Sequence, residues 1–374
     1  MKFSSSLLIY WIILCLPLMN CGGNFLDRRD SNNIDADDFY QDEADAIASV
    51  NAAYAQLQSL YLWARGVHFL LDFTSGEIGQ TPNTQGPSLE LLSYTFGSHG
   101  NDLIEGPWTG FYQTIAKTNI TLDAVPNIDM DGPLQRQVLA EARFLRALSY
   151  FYLNVLWNGG PLRTEENLEQ LHLDRASSPD IWSFIEADLT TAIPDLPWEY
   201  DVANVGRATK GAALSLLGKA HLYQEAWADA EQNFSRVIQE GPYQLMGEGA
   251  ATVKEAIAAM RSNHDFGVKN NAEAVFEVQF KGKAGGLYWQ TDGRSQREST
   301  IRPHEYGVNG KSFFNAKPSE NLLSAFEGYD PTGGNTGIGE RDPRFEAFFF
   351  TEHDTLDVGP YADILANSGY AWKK

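Results

Sequence analysis

The segment GRATKGAALSLLGKAHLYQEAWADAEQNFSRVIQEGPYQL constrains this chain more than any other. Leu214, Leu217, Gly218, His221, Ala230, Phe234, Val237 and Pro242 fall on the spacing of a tetratricopeptide repeat. Such a repeat is two antiparallel helices that cross closely at small residues. Gly218 and Ala230 supply those, Phe234 fills the groove between the helices, and His221 stands where a Tyr is usual and reads as structural. A second, broken copy lies upstream in AEARFLRALSYFYLNVLWNGGPL, with Ala147 at the small position and Tyr150 three residues on. Its partner helix is Ser178–Ile193, displaced by an inserted loop around Gly159–Ala176. Two copies do not bury both faces of such an array, so earlier helices must contribute.

Those earlier helices are legible. Apolar residues at 46, 47, 50, 53, 54, 57, 60 and 61 predict a helix over 42–63, with acidic residues at its start where the helix dipole favours them. Pro107, Pro133 and Pro179 each read as opening a further helix, Pro being pre-organised for the first helical position. Residues 66–106, with their Gly, Pro, Thr and Asn clusters, read as long loops. After Pro242 the pattern changes. Glu273–Phe280 (EAVFEVQF) alternates as a strand does, and the rest is Gly-rich and aromatic. The fold class expected is mainly α: a tetratricopeptide-like helical scaffold over 42–242, with a loop insertion at 66–106, packed against a loop-rich ligand-binding region over 243–374 with little β.

The N-terminus is of another kind. Leu7–Leu18 is apolar throughout, twelve residues that are too few to span a bilayer but suit a secretory signal over 1–20. Cys21 follows in LMNCGG, and a Leu three residues before a Cys at the end of such a segment resembles a bacterial lipobox. Asn20, just before the Cys, departs from the small residue usual there. Cys15 leaves with the signal, so the mature chain holds one thiol, and that one carries the acyl chains (palmitate among them) of a lipid anchor. The alternative, a Cys15–Cys21 disulfide, requires the apolar segment to be retained. Residues 21–41 read as a polar, Asp-rich tether. With 28 Lys+Arg against 49 Asp+Glu the net charge is −21, which repels phosphate backbones and excludes nucleic acid as a natural partner.

The whole pattern resembles the SusD/RagB family of outer-membrane lipoproteins. Trp108, Tyr112, Ile115 and Asn119 fit its W-x3-Y-x2-I-x3-N helix. EARFLRA from Glu141 to Ala147, Tyr150, and GGPL from Gly159 to Leu162 fit its most recognisable segment. The Arg207–Gln239 repeat, Ala325-Phe326 and Asp342-Pro343-Arg344 follow in family order. The resemblance implies a lipid-anchored protein on the outer membrane, facing the cell exterior. It would sit on a TonB-dependent transporter of the SusC type, capture oligosaccharides or peptides for import, and carry out no catalysis. Against the family pattern the chain is C-terminally shortened: a last helical pair beyond Gly369–Lys373 is missing, which would leave an apolar face open.

Catalytic signatures are weak. His304-Glu305 lacks the second His of a zinc helix, Gly337-Ile-Gly339 follows no strand, and no nucleophile elbow is present. No cofactor or metal is expected. Asp72 with Glu77, and Asp102 with Glu105, are the pairs that a glycoside hydrolase reading would use. Sugar capture needs flat aromatic faces and amide or carboxylate groups. The loops offer Tyr94, Phe96, Asn101, Tyr288, Trp289 and Tyr306 for this. A scaffold binding peptides or proteins through its helical face remains the alternative. Arg143 and Arg146, on a helix packed on several sides, read as structural, with Glu141 or Asp188 as carboxylate partners. Arg341, Asp342 and Arg344 read as closing a loop.

Overall fold

The computed structural model describes residues 39–95, 100–263, 268–280, 306, 314–326, 342, 344–350, 355–356, 359–360 and 371–372. Cys21, the signal segment and most of the tether therefore lie outside the described residues. The described part is a mainly α, tetratricopeptide-like array with only two-residue strands.

Helix α1, Glu43–Leu57, starts at a reciprocal cap: the Asp42 carboxylate accepts from the Asp45 N–H at 3.1 Å, and Asp45 accepts from the Asp42 N–H at 3.3 Å. It stops six residues short of the reading from periodicity. The chain turns back at 58–65 so that Leu62 enters the core. That turn sits against glycines: a Cβ at Gly110 would lie 2.8 Å from the Leu62 side chain. Residues 66–106 are not long loops. They contain α2, Gly66–Thr74, and α3, Gly86–Leu92. Neither helix has a side-chain N-cap and both are short; the one start signal, Pro87 in the first turn of α3, stands in a segment rich in Gly, Pro and Thr.

Helix α4, Asp102–Ala124, begins before Pro107, because Asn101 rather than the proline caps it; Pro107 lies inside the helix. Helix α5, Gly132–Trp157, ends at Asn158 in the left-handed region, and Gly159 follows at φ +111°. Helix α6, Ser178–Ala192, is its partner, as the broken repeat implied. The inserted segment between them is closed by a short antiparallel ladder pairing Gly160 with Ala176. Helices α7, Lys210–Tyr223, and α8, Trp227–Glu240, form the clear repeat. A methyl placed on Gly218 would meet Phe234 at 2.7 Å, so only glycine lets this pair close so tightly. His221 faces Asn233 at 3.3 Å, a structural contact. Beyond Pro242, a short helix α9, Val253–Ser262, stands where the sequence reads as loop, capped by Thr252. Glu273–Phe280 is not a strand: Glu273 lies in a turn, Val275 in a bend, and the segment pairs with no strand among the described residues.

The principal core runs through α1, α4, α5, α6 and α7. At its centre is Arg146, 2% exposed. Its guanidinium meets Asp188 of α6 through two hydrogen bonds, of 2.7 and 2.8 Å, donates to Asn119 of α4 at 2.8 Å, and pairs with Glu165 of the inserted segment. Phe184 lies over it at 4.8 Å. Of the two partners foreseen for the arginines, Asp188 takes Arg146. Glu141 instead holds Arg207 at 2.8 Å, because it projects from α5 toward the chain entering α7.

Removing one member of a buried ion pair leaves the other charge uncompensated, so Arg146→Ala should destabilise the protein by about 3–5 kcal/mol in urea unfolding. Burial works against ionisation of Glu165, but the hydrogen bond and charge of Arg146 outweigh it and hold its carboxyl below the usual range. A lowered folded value means a contribution that is present above the unfolded value of about 4.3 and lost as the pH falls through the folded one. Between pH 6 and pH 3 the wild type should therefore lose more stability than Glu165→Gln, measured by melts at each pH.

Candidate functional site

Helices α2 and α3 build a second, smaller body beside the array. Phe69, Leu70 and Phe73 of α2, Leu91 of α3 and Leu103 of α4 form its core, with Ala316 and Tyr306 from the late part of the chain. Polar contacts fasten the two parts together. Strand β1, Ile78–Gly79, pairs antiparallel with Lys317–Pro318. Thr81 donates to the Phe314 carbonyl at 2.6 Å and Thr84 to the Asn315 carbonyl at 2.8 Å. Buried hydroxyls on carbonyls hold this join at little cost in uncompensated polarity.

Three of the residues that the sequence singles out for ligand contact fall on this one body: Tyr94, Asn101 and Tyr306. Phe96, Tyr288 and Trp289 lie outside the described residues. The three differ in attitude. Tyr306 is 7% exposed, its ring 5.8 Å from Phe69 and its hydroxyl donating to Asp72 at 2.9 Å. Asn101 is 5% exposed; its Oδ1 accepts the Leu103 N–H at 3.0 Å, and its amide donates to the Pro87 carbonyl and to Glu90 at 2.8 Å. Both brace the body from inside, and neither offers its polar group to solvent.

Tyr94 does the opposite. It is 61% exposed and sits in the left-handed region at φ +53°. The reason is local. Helix α3 ends in a Schellman closure, with the Tyr94 N–H on the Leu91 carbonyl and the Thr95 N–H on the Glu90 carbonyl at 3.0 Å. Glycine normally occupies that position, since a bulky side chain there costs of order 1 kcal/mol or more. The phenol hydroxyl reaches back to the Thr74 carbonyl at the end of α2, which fixes the ring's direction. Backbone strain at an exposed aromatic is the kind of observation from which a functional role is argued.

Of the four carboxylates that a hydrolase reading would use, three are hydrogen-bonded and Glu77 is exposed. Asp72 receives Tyr306, Asp102 pairs with Arg65 at 3.1 Å, and Glu105 accepts the Gly100 N–H at 2.9 Å. Asp342 is bound by Arg344, whose hydrogen bond holds the carboxyl below its ordinary range despite burial; this is the loop closure read from the sequence, while Arg341 lies outside the described residues. Among the described residues no group of three or more His, Cys, Asp or Glu is placed to hold a metal ion, and no helix is long and apolar enough to cross a membrane.

A concavity of about 350 Å³ lies between α1, the turn at 203–207 and the segment 276–279. Sequence reasoning does not find it, because its walls are more than two hundred residues apart in the chain.

Comparison with known proteins follows the same outline. Residues 92–222 match a SusD-like family model described as starch-binding and associating with outer membrane. A SusD-like protein of Formosa agariphila is 28% identical over 254 residues, 65% of this chain and 48% of that protein. A SusD-like protein of Bacteroides ovatus is 28% identical over 293 residues, 74% of this chain and 50% of that one. The chain thus spans about half the length of the curated relatives it matches. Among solved structures, a SusD superfamily protein of Bacteroides vulgatus superposes with a TM-score of 0.71 at 22% identity, over 90% of this chain and 68% of that one.

If Tyr94 is kept for contact with a ligand and not for packing, Tyr94→Gly should melt at or above the wild-type temperature, because glycine relieves the left-handed strain. Asn101→Ala, which removes a helix cap, should cost about 1 kcal/mol by the same measurement. A loss at Tyr94→Gly larger than at Asn101→Ala would mean that the tyrosine is structural.

Proposed function

We propose, from the membership of this chain in the SusD/RagB family, that it is a surface-anchored binding protein that captures oligosaccharides without cleaving them. The observation that carries this reading is Tyr94: an aromatic side chain 61% exposed, aimed by its hydroxyl bond and held in a conformation unfavourable to it. Pyranose rings stack their C–H faces on such a platform, and the hydroxyl and carboxylate groups of Ser93, Thr95 and Glu77, exposed on the same body, suit their hydroxyls.

The remaining parts of the reading rest on the sequence. Cys21 carries the lipid anchor, residues 21–41 tether the body to the outer membrane, and residues 42–242 form the scaffold on which the later, loop-rich region displays ligand contacts. A TonB-dependent transporter of the SusC type receives the sugar. Tyr288 and Trp289 are the further aromatic contacts proposed from the late loops.

Native gels containing different polysaccharides, with released reducing ends assayed in parallel, test this. Retardation without release is expected, and Tyr94→Ala should weaken it by about tenfold, the worth of one stacking contact. Release of reducing ends, or full retardation by Tyr94→Ala, would overturn the assignment.

A further inference from the structure

Helix α2 is nine residues long, and a helix of that length is marginal by itself. Its last turn is the weaker end. The final carbonyls of a helix have no partner within it, and a negative charge beside them opposes the helix dipole. Asp72 puts such a charge there, and no basic residue stands in that turn. On local terms this end should fray.

Yet the Tyr94 side chain is anchored to it. The Thr74 carbonyl, the last of α2, accepts the Tyr94 hydroxyl. A bond aims a ring only as well as its acceptor is held. The backbone of Tyr94 is set by the end of α3, but the direction of its phenol is set by the end of α2.

Two local contacts steady that end. The Thr74 hydroxyl turns back onto the Leu70 carbonyl at 2.6 Å. Ser75 donates to the Asp72 carbonyl twice, from its N–H at 3.2 Å and its hydroxyl at 2.7 Å. The remaining support comes from the late part of the chain. Tyr306, 234 residues on, donates its hydroxyl to the Asp72 carboxylate at 2.9 Å, which offsets what the charge costs the helix. Its ring is buried against Phe69 at 5.8 Å and Phe73 at 6.4 Å. Just past the helix, Ser319 donates to the Gly76 carbonyl at 2.9 Å and to the Glu77 carbonyl at 2.8 Å.

We infer that Tyr306, acting through Asp72, is a positioning residue for the Tyr94 contact. Its hydroxyl pins the last turn of α2, and that turn holds the carbonyl that aims the phenol. This rests on the reading of Tyr94 as a sugar contact, and it makes that contact depend on a residue from the late part of the chain.

The test is affinity electrophoresis of the full chain in gels cast with soluble starch, a β-glucan or a xylan, followed in whichever retards the wild type most. Tyr306→Phe keeps the ring and removes the hydroxyl. It is expected to weaken binding about fivefold, the cost of ordering one released aromatic side chain on binding. Asp72→Ala should do the same, and Asp72→Asn, which keeps an acceptor, should recover most of that loss. The deciding readout is the double variant, because damage to the fold at large would weaken binding whether or not the tyrosine ring is present. In the Tyr94→Ala background, Tyr306→Phe should cost no further affinity. Tyr306→Phe remains informative if Asp72→Ala does not fold. Full affinity of Tyr306→Phe, no recovery by Asp72→Asn, or an equal loss with and without the Tyr94 ring would each overturn the inference and leave the reading of Tyr94 standing. Equal retardation of the wild type and Tyr94→Ala, or no retardation of the wild type in any of the three gels, would end both.

Discussion

Arg146 is the group on which the array depends. A guanidinium in the middle of a helical core is tolerable only if its charge is met and its donors are filled. Meeting those demands recruits Asp188 from α6, Asn119 from α4 and Glu165 from the inserted segment, so one side chain fixes the relation of three separate parts of the chain. Apolar packing alone would let neighbouring helices slide by a turn at modest cost. Two hydrogen bonds from one guanidinium to one carboxylate, of 2.7 and 2.8 Å, allow a single register.

The same economy places the insertions. Glu165 anchors the segment between α5 and α6 to the core, and Tyr150 secures it a second time, its hydroxyl donating to the Arg163 carbonyl and accepting the Arg163 N–H. The body built on α2 and α3 is attached by hydroxyls on carbonyls and by its own apolar core. A rigid scaffold with irregular pieces bolted to it is the arrangement in which loops hold ligand contacts steadily. Tyr94 shows how that works at one residue: the helix end beneath it dictates the backbone, and the backbone aims the ring.

Much of this was legible beforehand. The period of the apolar residues and the small residues at Ala147, Gly218 and Ala230 were enough for the helical array, because close helix crossing leaves a clear mark in composition. Helices α2, α3 and α9 were not foreseen. They are short, and the start signals that two of them carry, Pro87 in α3 and Thr252 in α9, stand in segments rich in Gly and polar residues. Helix α4 starts ahead of the proline that suggests its beginning, because Asn101 caps it. The strand expected at Glu273–Phe280 does not form, since a turn at Glu273 and a bend at Val275 interrupt it and alternation says nothing about whether a partner strand is present.

At the candidate site, sequence alone determined the residue types: aromatics, amides and carboxylates gathered in polar loops. It also located the buried arginine and one of its carboxylates. Only the tertiary structure decided their attitudes. Tyr94, Asn101 and Tyr306 looked alike in the sequence, yet two are turned inward to cap and brace while one is held out to solvent. Whether a side chain faces the core or the solvent depends on what the rest of the chain packs against it, and residues 69–73, 91 and 306 are brought together only by the tertiary fold. The concavity beside residues 276–279 arises in the same way, from walls that no local pattern connects.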